Sequence, residues 1–365
     1  MTLRLKRVGI LTGGGDCPGL NAVIRAVVKS ALFEHRFEVI GILDGYAGLV
    51  ENRSRPLSEM CVSDILARGG TILGSSNTAN PFQYTRAKKD GSITTEDRSK
   101  DALLTFEKLE LDSLITIGGD GTQSIALKLA QKGIDVIGIP KTIDNDLDCT
   151  DVTFGFDSAL TVATEAVDRL HTTGESHKRC MVLEVMGRYA GWIALRSGIA
   201  GGGDVILIPE IPYQIEKVYA SIQRRIARGK CFSIVVVAEG AKPLGGEMTV
   251  QQIVANSADP VRLGGVGHVI AQQIQLKTGL ESRATILGHL QRGGIPTHFD
   301  RWLATRFGVH ALHLIARRQF GRMVTLRGLQ IASAPLQDAV SHLRRVDPAS
   351  EEVRTAKEVG TCFGD

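Results

Sequence analysis

Short apolar runs alternate with amphipathic helical segments along most of this chain, and this alternation constrains the fold more than any other feature. Val8–Leu11, Leu114–Ile117 and Val136–Ile139 are predicted as buried strands, and Asn21–Glu34 and Asp157–Leu170 as helices. Further strands are predicted at Met181–Met186, Val205–Ile208, Phe232–Ala238 and Ala284–Leu287. Strands that alternate with helices build parallel sheets with helices on both faces. We therefore expect an α/β fold.

The composition excludes several classes of protein. The 365 residues suffice for two domains with their own cores, and a content of 43% apolar and 22% charged residues is typical of globular chains. The net charge of +4 comes without basic tracts, which gives no support to nucleic-acid binding. No apolar run approaches the roughly 18 residues of a membrane span. Six scattered cysteines without a CxxC pair, and no apparent signal peptide, predict a cytoplasmic protein.

The run Pro140–Asp146, PKTIDND, follows the predicted strand Val136–Ile139. In open α/β sheets the loops beyond the carboxyl ends of strands form the ligand crevice. Asp144, Asp146 and the hydroxyl of Thr142 are therefore candidates for contact with a small substrate. A carboxylate at this place can take a proton from a substrate hydroxyl or hold a metal ion. Alone, the run is equally typical of an Asx-rich turn.

Two glycine turns lie between a strand and a helix. Gly118–Thr122, GGDGT, lets the backbone approach an anion, and the following helix offers free N–H groups. Asp120 is a candidate magnesium ligand, because magnesium takes one or two protein carboxylates together with phosphate oxygens. Gly13–Gly15 forms the second turn and lacks the Lys-Ser/Thr ending of a P-loop. Two such turns in one sheet would line one crevice.

Later strand-to-helix turns carry cations. MGRYAG, at Met186–Gly191, and LGHLQRGG, at Leu287–Gly294, both follow predicted strands. Arginine binds phosphate through parallel hydrogen bonds, and Glu239 can accept hydrogen bonds from sugar hydroxyls. The cationic candidates around these turns are Arg179, Arg188, Arg283, His289 and Arg292. Each alone is as typical of a solvated surface residue, but together they favour a site for an anionic sugar.

These motifs, in this order, resemble the phosphofructokinases. The resemblance covers roughly residues 7–325 and rests on TGGGDCPGLNAVIR, DGYAGL, GGTILGS, GGDGT, PKTIDND with the MGRYAG turn, and RATILGHLQRGG. It implies transfer of a phosphoryl group from ATP, with Mg²⁺, to the carbon-1 hydroxyl of fructose 6-phosphate in glycolysis.

The resemblance also implies a role for individual residues of the acceptor site. Asp144 would be the base that accepts the proton of the sugar hydroxyl, and Thr142 and Asp146 would place that hydroxyl and the phosphoryl group. Arg188 would stabilise the transferring charge. The sugar phosphate would contact Ile143, Met186, Gly187, Arg188, Glu239, His289 and Arg292. Arg179 and Arg283 would reach the site from a neighbouring subunit, so the resemblance implies a homodimer or homotetramer.

ATP and Mg²⁺ would bind the remaining motifs. Asp120 would hold the metal ion, and Tyr46 would lie near the nucleotide base. The donor would be lined by Gly14, Tyr46, Asn77, Gly119, Asp120, Gly121 and Thr122. Asn77 stands where many relatives carry an arginine that bridges the donor phosphates, so the charge there has to come from Lys141 or another cation.

Residues 121 and 141 give a mixed indication of the donor. Gly121 is typical of ATP-dependent members, whereas pyrophosphate-dependent members carry aspartate there and lysine at the position of Lys141. A side chain at 121 would block the space that ribose and base need, so we expect ATP. A pyrophosphate-dependent or dual-donor enzyme is the alternative.

The resemblance further implies two doubly wound, Rossmann-like lobes with the active site in the cleft between them. Residues 1–155 with about 291–341 would bind the donor, and residues 156–290 with the tail 342–365 the sugar phosphate. An allosteric effector would bind Arg25, Lys29, Arg53, Arg228 and Lys230, although His171 and Cys231 replace basic residues of that pattern.

Two other classes of protein remain as alternatives. NAD kinases and lipid kinases also use GGDG turns, but LGHLQRGG and MGRYAG are not expected in them. A non-catalytic sugar-phosphate-binding subunit is favoured only by Asn77. The presence of Asp120, Asp144, Asp146 and Arg188 opposes it.

Overall fold

The computed structural model describes residues 6–87, 93–253 and 261–365. Its strands are β1 Arg7–Thr12, β2 Glu38–Ile42, β3 Ser54–Pro56, β4 Tyr84–Ala87, β5 Ile93–Glu96, β6 Ser113–Gly118, β7 Val136–Pro140, β8 Cys180–Val185, β9 Val205–Leu207, β10 Ser233–Ala238, β11 Val250–Ile253, β12 Val261–Leu263, β13 Ser282–Ile286, β14 Arg322–Arg327 and β15 Gln330–Pro335. Its α-helices are α1 Leu20–Ser30, α2 Tyr46–Glu51, α3 Ser99–Lys108, α4 Asp120–Gln131, α5 Phe156–His177, α6 Trp192–Ala200, α7 Ile215–Ala227, α8 Val266–Thr278, α9 His298–Ala316, α10 Leu336–Ala339 and α11 Glu351–Glu358.

The described residues divide into two units. The first unit takes its residues from Met1–Ile143, Leu147–Asp157 and Arg292–Leu343. The second unit takes them from Asp144–Asp146, Ser158–Gln291 and Arg344–Asp365. One boundary falls inside the run PKTIDND, so Thr142 and Ile143 belong to the first unit and Asp144–Asp146 to the second.

The first unit contains a seven-stranded sheet in the order β15-β14-β7-β6-β1-β2-β3. Its five central strands run parallel, and the edge strands β3 and β15 are antiparallel to their neighbours. Helix α1 packs against α9 so closely that a Cβ on Gly308 would lie 2.9 Å from the Cβ of Ala26. Val23 and Val27 of α1 are fully buried, and each such side chain stabilises the fold by about 1.5–3 kcal/mol.

The second unit contains a parallel four-stranded sheet in the order β13-β8-β10-β9. The strands β8 and β10 are buried along their whole length, as their largely apolar sequences predict, although β8 also contains the buried Glu184. A late segment of the sequence completes this unit, because Cys362 forms a parallel bridge with Val205 of β9. The α/β prediction is therefore confirmed in both units, with parallel sheets that carry antiparallel strands at the edges of the larger one.

Several predicted boundaries were wrong. The helix predicted to reach Glu34 ends at Ser30 and continues as a π-helical turn, Ala31–His35, which Arg36 closes with a left-handed backbone at φ 54°. The helix predicted over Asp157–Leu170 extends over Phe156–His177. Asp157 lies inside its first turn and accepts a hydrogen bond from Thr297 Oγ1 at 2.6 Å. The polar sequence of residues 77–100 indicates a surface loop or a short helix, but the stretch contains the antiparallel strands β4 and β5. Lys88–Gly91 within it lies outside the described residues.

Helix α5, with 22 residues, is the longest of the described helices. Within residues 6–87, 93–253 and 261–365, helices that combine the length and the apolar character needed to cross a bilayer are absent.

Candidate active site

The two glycine turns of the first unit lie side by side. They follow the neighbouring parallel strands β1 and β6, and the backbone N–H of Gly13 donates to the carbonyl of Ile117 at 2.9 Å. Thr122, only 5% exposed, packs against both turns. A Cβ on Gly13 would lie 2.7 Å from Thr122 Oγ1, and a Cβ on Gly118 would overlap the same side chain. Both positions therefore require glycine, and the two turns form one structure, which we call the glycine-turn pair (Gly13–Gly15 and Gly118–Gly121).

The loop Gly70–Ser76 packs on the glycine-turn pair. Gly14, whose φ is 76°, donates from its backbone N–H to the carbonyl of Ser76 at 3.0 Å. Ser75 Oγ donates to the carbonyl of Gly14 at 2.6 Å. Asn77 follows directly and is exposed, so its side chain stands at the end of a loop that the turn itself holds in place.

Two cations reach the first of these turns. Lys141 is 3% exposed, and its ammonium group donates to the carbonyl of Gly15. Its Nζ lies 3.5 Å from the place that a Cβ of Gly14 would take. Arg292 Nη1 donates to the carbonyl of Asp16 at 3.3 Å. Lys141 and Arg292 thus bring two positive charges to the first glycine turn, next to the loop that carries the uncharged Asn77.

Asp120 begins helix α4 directly after Gly119. Burial raises the pKa of its carboxyl group above the ordinary value. A bound divalent cation would offset that cost, because it stabilises the ionised form of a hard oxygen ligand. Among the described residues no group of three or more His, Cys, Asp or Glu could hold a metal ion. A magnesium ion held by Asp120 would have to complete its coordination with phosphate oxygens and water.

Gly121 differs from the other glycines of the pair. A Cβ at this position would meet nothing within 4 Å, and the residue is exposed. The protein itself therefore tolerates a side chain here, and any selection for glycine at position 121 has to come from the bound ligand.

The start of α4 is held by two buried side chains. Tyr46 is 2% exposed and donates its hydroxyl to the carbonyl of Thr122 at 2.8 Å, and burial raises its pKa. Gln123, fully buried, donates to the carbonyls of Gly118 at 3.1 Å and Ile139 at 3.0 Å. The structure thus places Tyr46 in the core beneath the turn. Gln123 was missed by the sequence analysis, although a polar residue directly after GGDGT was a signal for it.

The second unit joins its turns in a similar way. The backbone N–H of Gly240 donates to the carbonyl of Gly187 at 3.1 Å, and that of Met186 donates to Gln291 Oε1 at 3.3 Å. Gly187 has a φ of 138°, and a Cβ there would lie 2.7 Å from the carbonyl oxygen of Ala190. The turns after β8, β10 and β13 therefore meet at one edge of the sheet. Gln291, fully buried, was also missed by the sequence analysis.

Three charged groups of the second unit act on one another at this edge. Burial raises the pKa of Glu239 to about 7, the negative charge of Asp144 adds to the increase, and the positive charge of Arg188 opposes it. Two carboxylates and a guanidinium thus lie within electrostatic range of one another. The carboxyl group of Glu239 therefore changes its protonation state near neutral pH.

The backbone of the run PKTIDND is held on both sides of the unit boundary. In the first unit Ile143 is fully buried, and the carbonyl of Thr142 accepts a hydrogen bond from Thr153 Oγ1 at 2.7 Å. In the second unit Arg344 donates from its backbone N–H to the carbonyl of Asp146 at 2.8 Å. The guanidinium of Arg344 lies 4.4 Å from the ring centre of Trp192. Arg344, in the tail, is a positioning residue that the sequence analysis did not find.

Arg179 and Arg283 share one carboxylate. Arg179 Nε donates to Glu281 at 2.8 Å, and Arg283 forms an ion pair with the same side chain. Arg283 lies on the edge strand β13, with 54% of its side chain exposed. His289, in the 3₁₀ turn Gly288–Arg292, is exposed as well. Arg283 thus stands on the edge strand, and Arg179, directly before the neighbouring strand β8, reaches the same carboxylate.

The predicted effector residues are divided between the units. Lys29 donates to Glu59 at 3.0 Å, and Arg53 pairs with Glu51 at 2.9 Å and with Asp44, which raises the pKa of Arg53. The other members are Arg25 in the first unit, and Arg228 and Lys230 directly after α7 in the second. Two of the cations are thus already balanced by carboxylates, and effector binding stays a prediction.

Comparison with known proteins gives a consistent result. A sequence model of the family described as phosphofructokinase matches residues 7–315. The chain is 52% identical to ATP-dependent 6-phosphofructokinase 2 of Clostridium perfringens, over 99% of either chain. It is also 52% identical to the pyrophosphate–fructose 6-phosphate 1-phosphotransferase of Streptomyces coelicolor, over 98% of this chain and 100% of that one.

A solved structure of phosphofructokinase from Pichia pastoris superposes with a TM-score of 0.79 at 30% identity. The superposition covers 99% of this chain, which spans only 37% of the length of the Pichia chain.

Proposed function

Because this chain belongs to the phosphofructokinase family, we propose that it transfers a phosphoryl group from ATP to the carbon-1 hydroxyl of fructose 6-phosphate and produces fructose 1,6-bisphosphate. The observation that carries the proposal is the glycine-turn pair with Lys141 buried against it. Backbone N–H groups, a helix start and a buried cation are the elements that recognise phosphate. The Clostridium relative, named as ATP-dependent, supports the choice of donor.

We assign the acceptor chemistry to Asp144, Arg188 and Glu239, which we call the charged edge of the second unit. Asp144 accepts the proton of the sugar hydroxyl, and Arg188 stabilises the charge on the transferring group. Thr142 and Asp146 place the reacting groups. Met186, Gly187, Glu239, His289 and Arg292 bind the sugar phosphate. Phosphoryl transfer needs little beyond such positioning, cations on the spread charge and one base.

We assign the donor to the glycine-turn pair and its surroundings. Gly14, Gly119, Gly121 and Thr122 line the phosphates, Lys141 adds charge, and Asn77 donates a neutral hydrogen bond. Tyr46 positions the start of helix α4 from the core, because its hydroxyl donates a hydrogen bond to the carbonyl of Thr122. Asp120 would hold Mg²⁺, which neutralises charge on the donor phosphates when bound.

A pyrophosphate-dependent or dual-donor activity is the second candidate. Lys141, the residue typical of pyrophosphate-dependent members, contacts the first glycine turn in this structure. The Streptomyces relative, named for pyrophosphate, is as similar as the Clostridium one. The open space at Gly121 favours ATP, because it leaves room for the nucleoside beyond the phosphates.

The test is a parallel measurement of initial rates of fructose 1,6-bisphosphate formation with ATP and with pyrophosphate, each with magnesium. Turnover with ATP alone supports the proposal. Gly121→Asp should then lower turnover with ATP while the protein stays folded, because the structure has space for the side chain. Turnover of the parent with pyrophosphate alone would replace the first candidate with the second. Failure with both donors would favour a non-catalytic subunit.

We further propose that Arg179 and Arg283 complete the site of a neighbouring copy, which makes the active form a homodimer or homotetramer in the cytoplasm. Their shared position on Glu281 at a sheet edge supports a common role. A mixture of inactive Arg179→Ala and inactive Asp144→Ser chains tests this, after dissociation and reassembly. Partial recovery of activity is expected, since hybrids contain one intact site. No recovery in hybrids shown to have formed would contradict it.

A further inference from the structure

A cavity of about 810 Å³ opens in the first unit, where it is lined by Arg7, Glu38 and Val39 among others. These residues lie at the amino-terminal ends of β1 and β2. The glycine-turn pair follows the opposite end of β1, about 17 Å away along a six-residue strand. The cavity is therefore separate from the candidate active site.

The walls of this cavity are mainly apolar. Val39 and Leu57 are 3% and 4% exposed, and Phe37 and Leu109 complete the inner surface. Leu32, on the rim, belongs to the π-helical turn Ala31–His35, an element that is rare and often found at functional sites. The volume lies within the range of small-molecule sites. The cavity thus suits the apolar body of a small ligand.

The polar groups of the cavity favour a negative charge on that ligand. Arg7 is balanced by Glu38, at 2.9 Å. Arg55 donates from Nη2 to the carbonyl of Ile72 at 2.9 Å. Arg36 is exposed, and no ion pair with another described residue is found for it. Two cations, Arg36 and Arg55, therefore line an apolar cavity.

We propose that this cavity binds a small amphipathic anion. An alkyl or aryl body would pack against Val39 and Leu57, and an acidic head group would pair with the guanidinium groups of Arg36 and Arg55. Such a site goes beyond the proposed phosphoryl transfer, and its occupancy does not depend on that activity.

The probe for this site is 8-anilinonaphthalene-1-sulfonate, an aryl anion whose fluorescence increases in apolar surroundings. Titrations are made with saturating fructose 6-phosphate and AMP-PNP, so that the substrate sites are filled. Arg36→Gln and Arg55→Gln should each weaken binding about tenfold, the change expected for one charge-assisted hydrogen bond. Arg318→Gln is the matched control, because Arg318 is exposed, has the same left-handed backbone (φ 56° against 54° at Arg36) and lies outside the cavity.

Decanoate should displace the probe at least tenfold more effectively than decanol, which has the same alkyl chain without the charge. Arg36→Gln should leave the rate of phosphoryl transfer unchanged. If Arg55→Gln fails to fold, Arg36→Gln and the decanoate comparison still carry the test. Unchanged probe affinity in Arg36→Gln together with equal displacement by decanoate and decanol would overturn the proposal, as would loss of all binding when the substrate sites are filled.

Discussion

The glycine-turn pair of the first unit and the charged edge of the second unit present different parts of the chain to a ligand. Gly13 and Gly118 have no side chain, because Thr122 fills the space that a side chain would need, so the backbone itself is presented to a ligand. At Asp144, Arg188 and Glu239 the side chains act on one another through their charges. The first region should therefore be sensitive to added atoms and the second to removed charge. Four predictions test that difference.

The largest effect is expected from removing the proposed base. Asp144→Ser should lower kcat by about 10²–10⁴, the usual contribution of a positioned general base, while fructose 6-phosphate binding changes little. Steady-state rates and isothermal titration with fructose 6-phosphate measure the two quantities. Asp148→Ser is the control, since Asp148 is paired with His342 in the first unit. Near-parental turnover of Asp144→Ser would refute the assignment of the base.

The second prediction concerns the charge on Glu239. Its pKa of about 7, raised from 4.5 by burial and Asp144, means that the folded state holds the proton more tightly than the unfolded chain. The resulting stability is present below about pH 4.5 and is lost as the pH rises through about 7. Glu239→Gln should remove this dependence and raise the free energy of unfolding at pH 8 by up to about 3 kcal/mol.

Urea unfolding at pH 5 and pH 8 measures this change in a Trp302→Phe background. Trp192, in the second unit, is then the sole remaining tryptophan of the two in the chain. Glu247→Gln, at an exposed residue of the same unit, is the control. A parallel decline of parent and Glu239→Gln between these pH values would contradict the prediction.

The third prediction compares two glycines of one turn. Gly118→Ala forces a Cβ into Thr122 and should lower the free energy of unfolding by about 2 kcal/mol, as overpacking does, and raise the KM for the donor. Gly121→Ala adds the same atom where nothing lies within 4 Å and should leave the stability nearly unchanged. Thermal unfolding and donor saturation curves measure both. Equal losses in the two variants would show that the turn does not depend on Thr122.

The smallest effect concerns acid sensitivity of the first unit. The ring of His35 lies 5.3 Å from that of Phe37 and 5.7 Å from that of His313. Burial and the charge of His313 lower the pKa of His35 and of His310. The unfolded chain therefore binds protons more readily, and stability present above about pH 6.5 is lost as the pH falls through the lowered folded values.

Replacing His35 with phenylalanine should flatten this decline, seen as slower amide hydrogen exchange in α1 and α9 at pH 5.5. His268→Gln, at an exposed position of α8, is the control. If both pH predictions hold, the stability of the first unit decreases as the pH falls, whereas that of the second unit decreases as the pH rises. Unchanged exchange in the His35 variant would remove that contrast.

Local patterns were sufficient to predict the elements that carry the turns. The buried strands β6 and β8 are largely apolar runs, and the glycine turns directly follow such strands, so both could be found without knowledge of the fold. The strands β14 and β15 could not, because the pairing of β14 with β7 joins segments that are far apart in the sequence.

The supporting side chains were missed for the same reason. Gln123 reaches the carbonyl of Ile139 only because β6 and β7 are neighbours. Arg344 reaches Asp146 only because the tail returns to the second unit. Candidate ligand-binding residues have recognisable types and spacings, whereas the groups that position them depend on tertiary contacts that no local pattern contains.

The division of the chain has a consequence for its synthesis. The chain passes between the units after residues 143, 146, 157, 291 and 343. The first unit therefore lacks β14 and β15 until residue 335 has left the ribosome, and β9 lacks its bridge until Cys362 has emerged. Domains that are continuous in sequence can fold one after the other during translation. Here neither unit can, so a nascent chain stalled before residue 322 would hold two unfinished cores and be a ready substrate for chaperones and proteases.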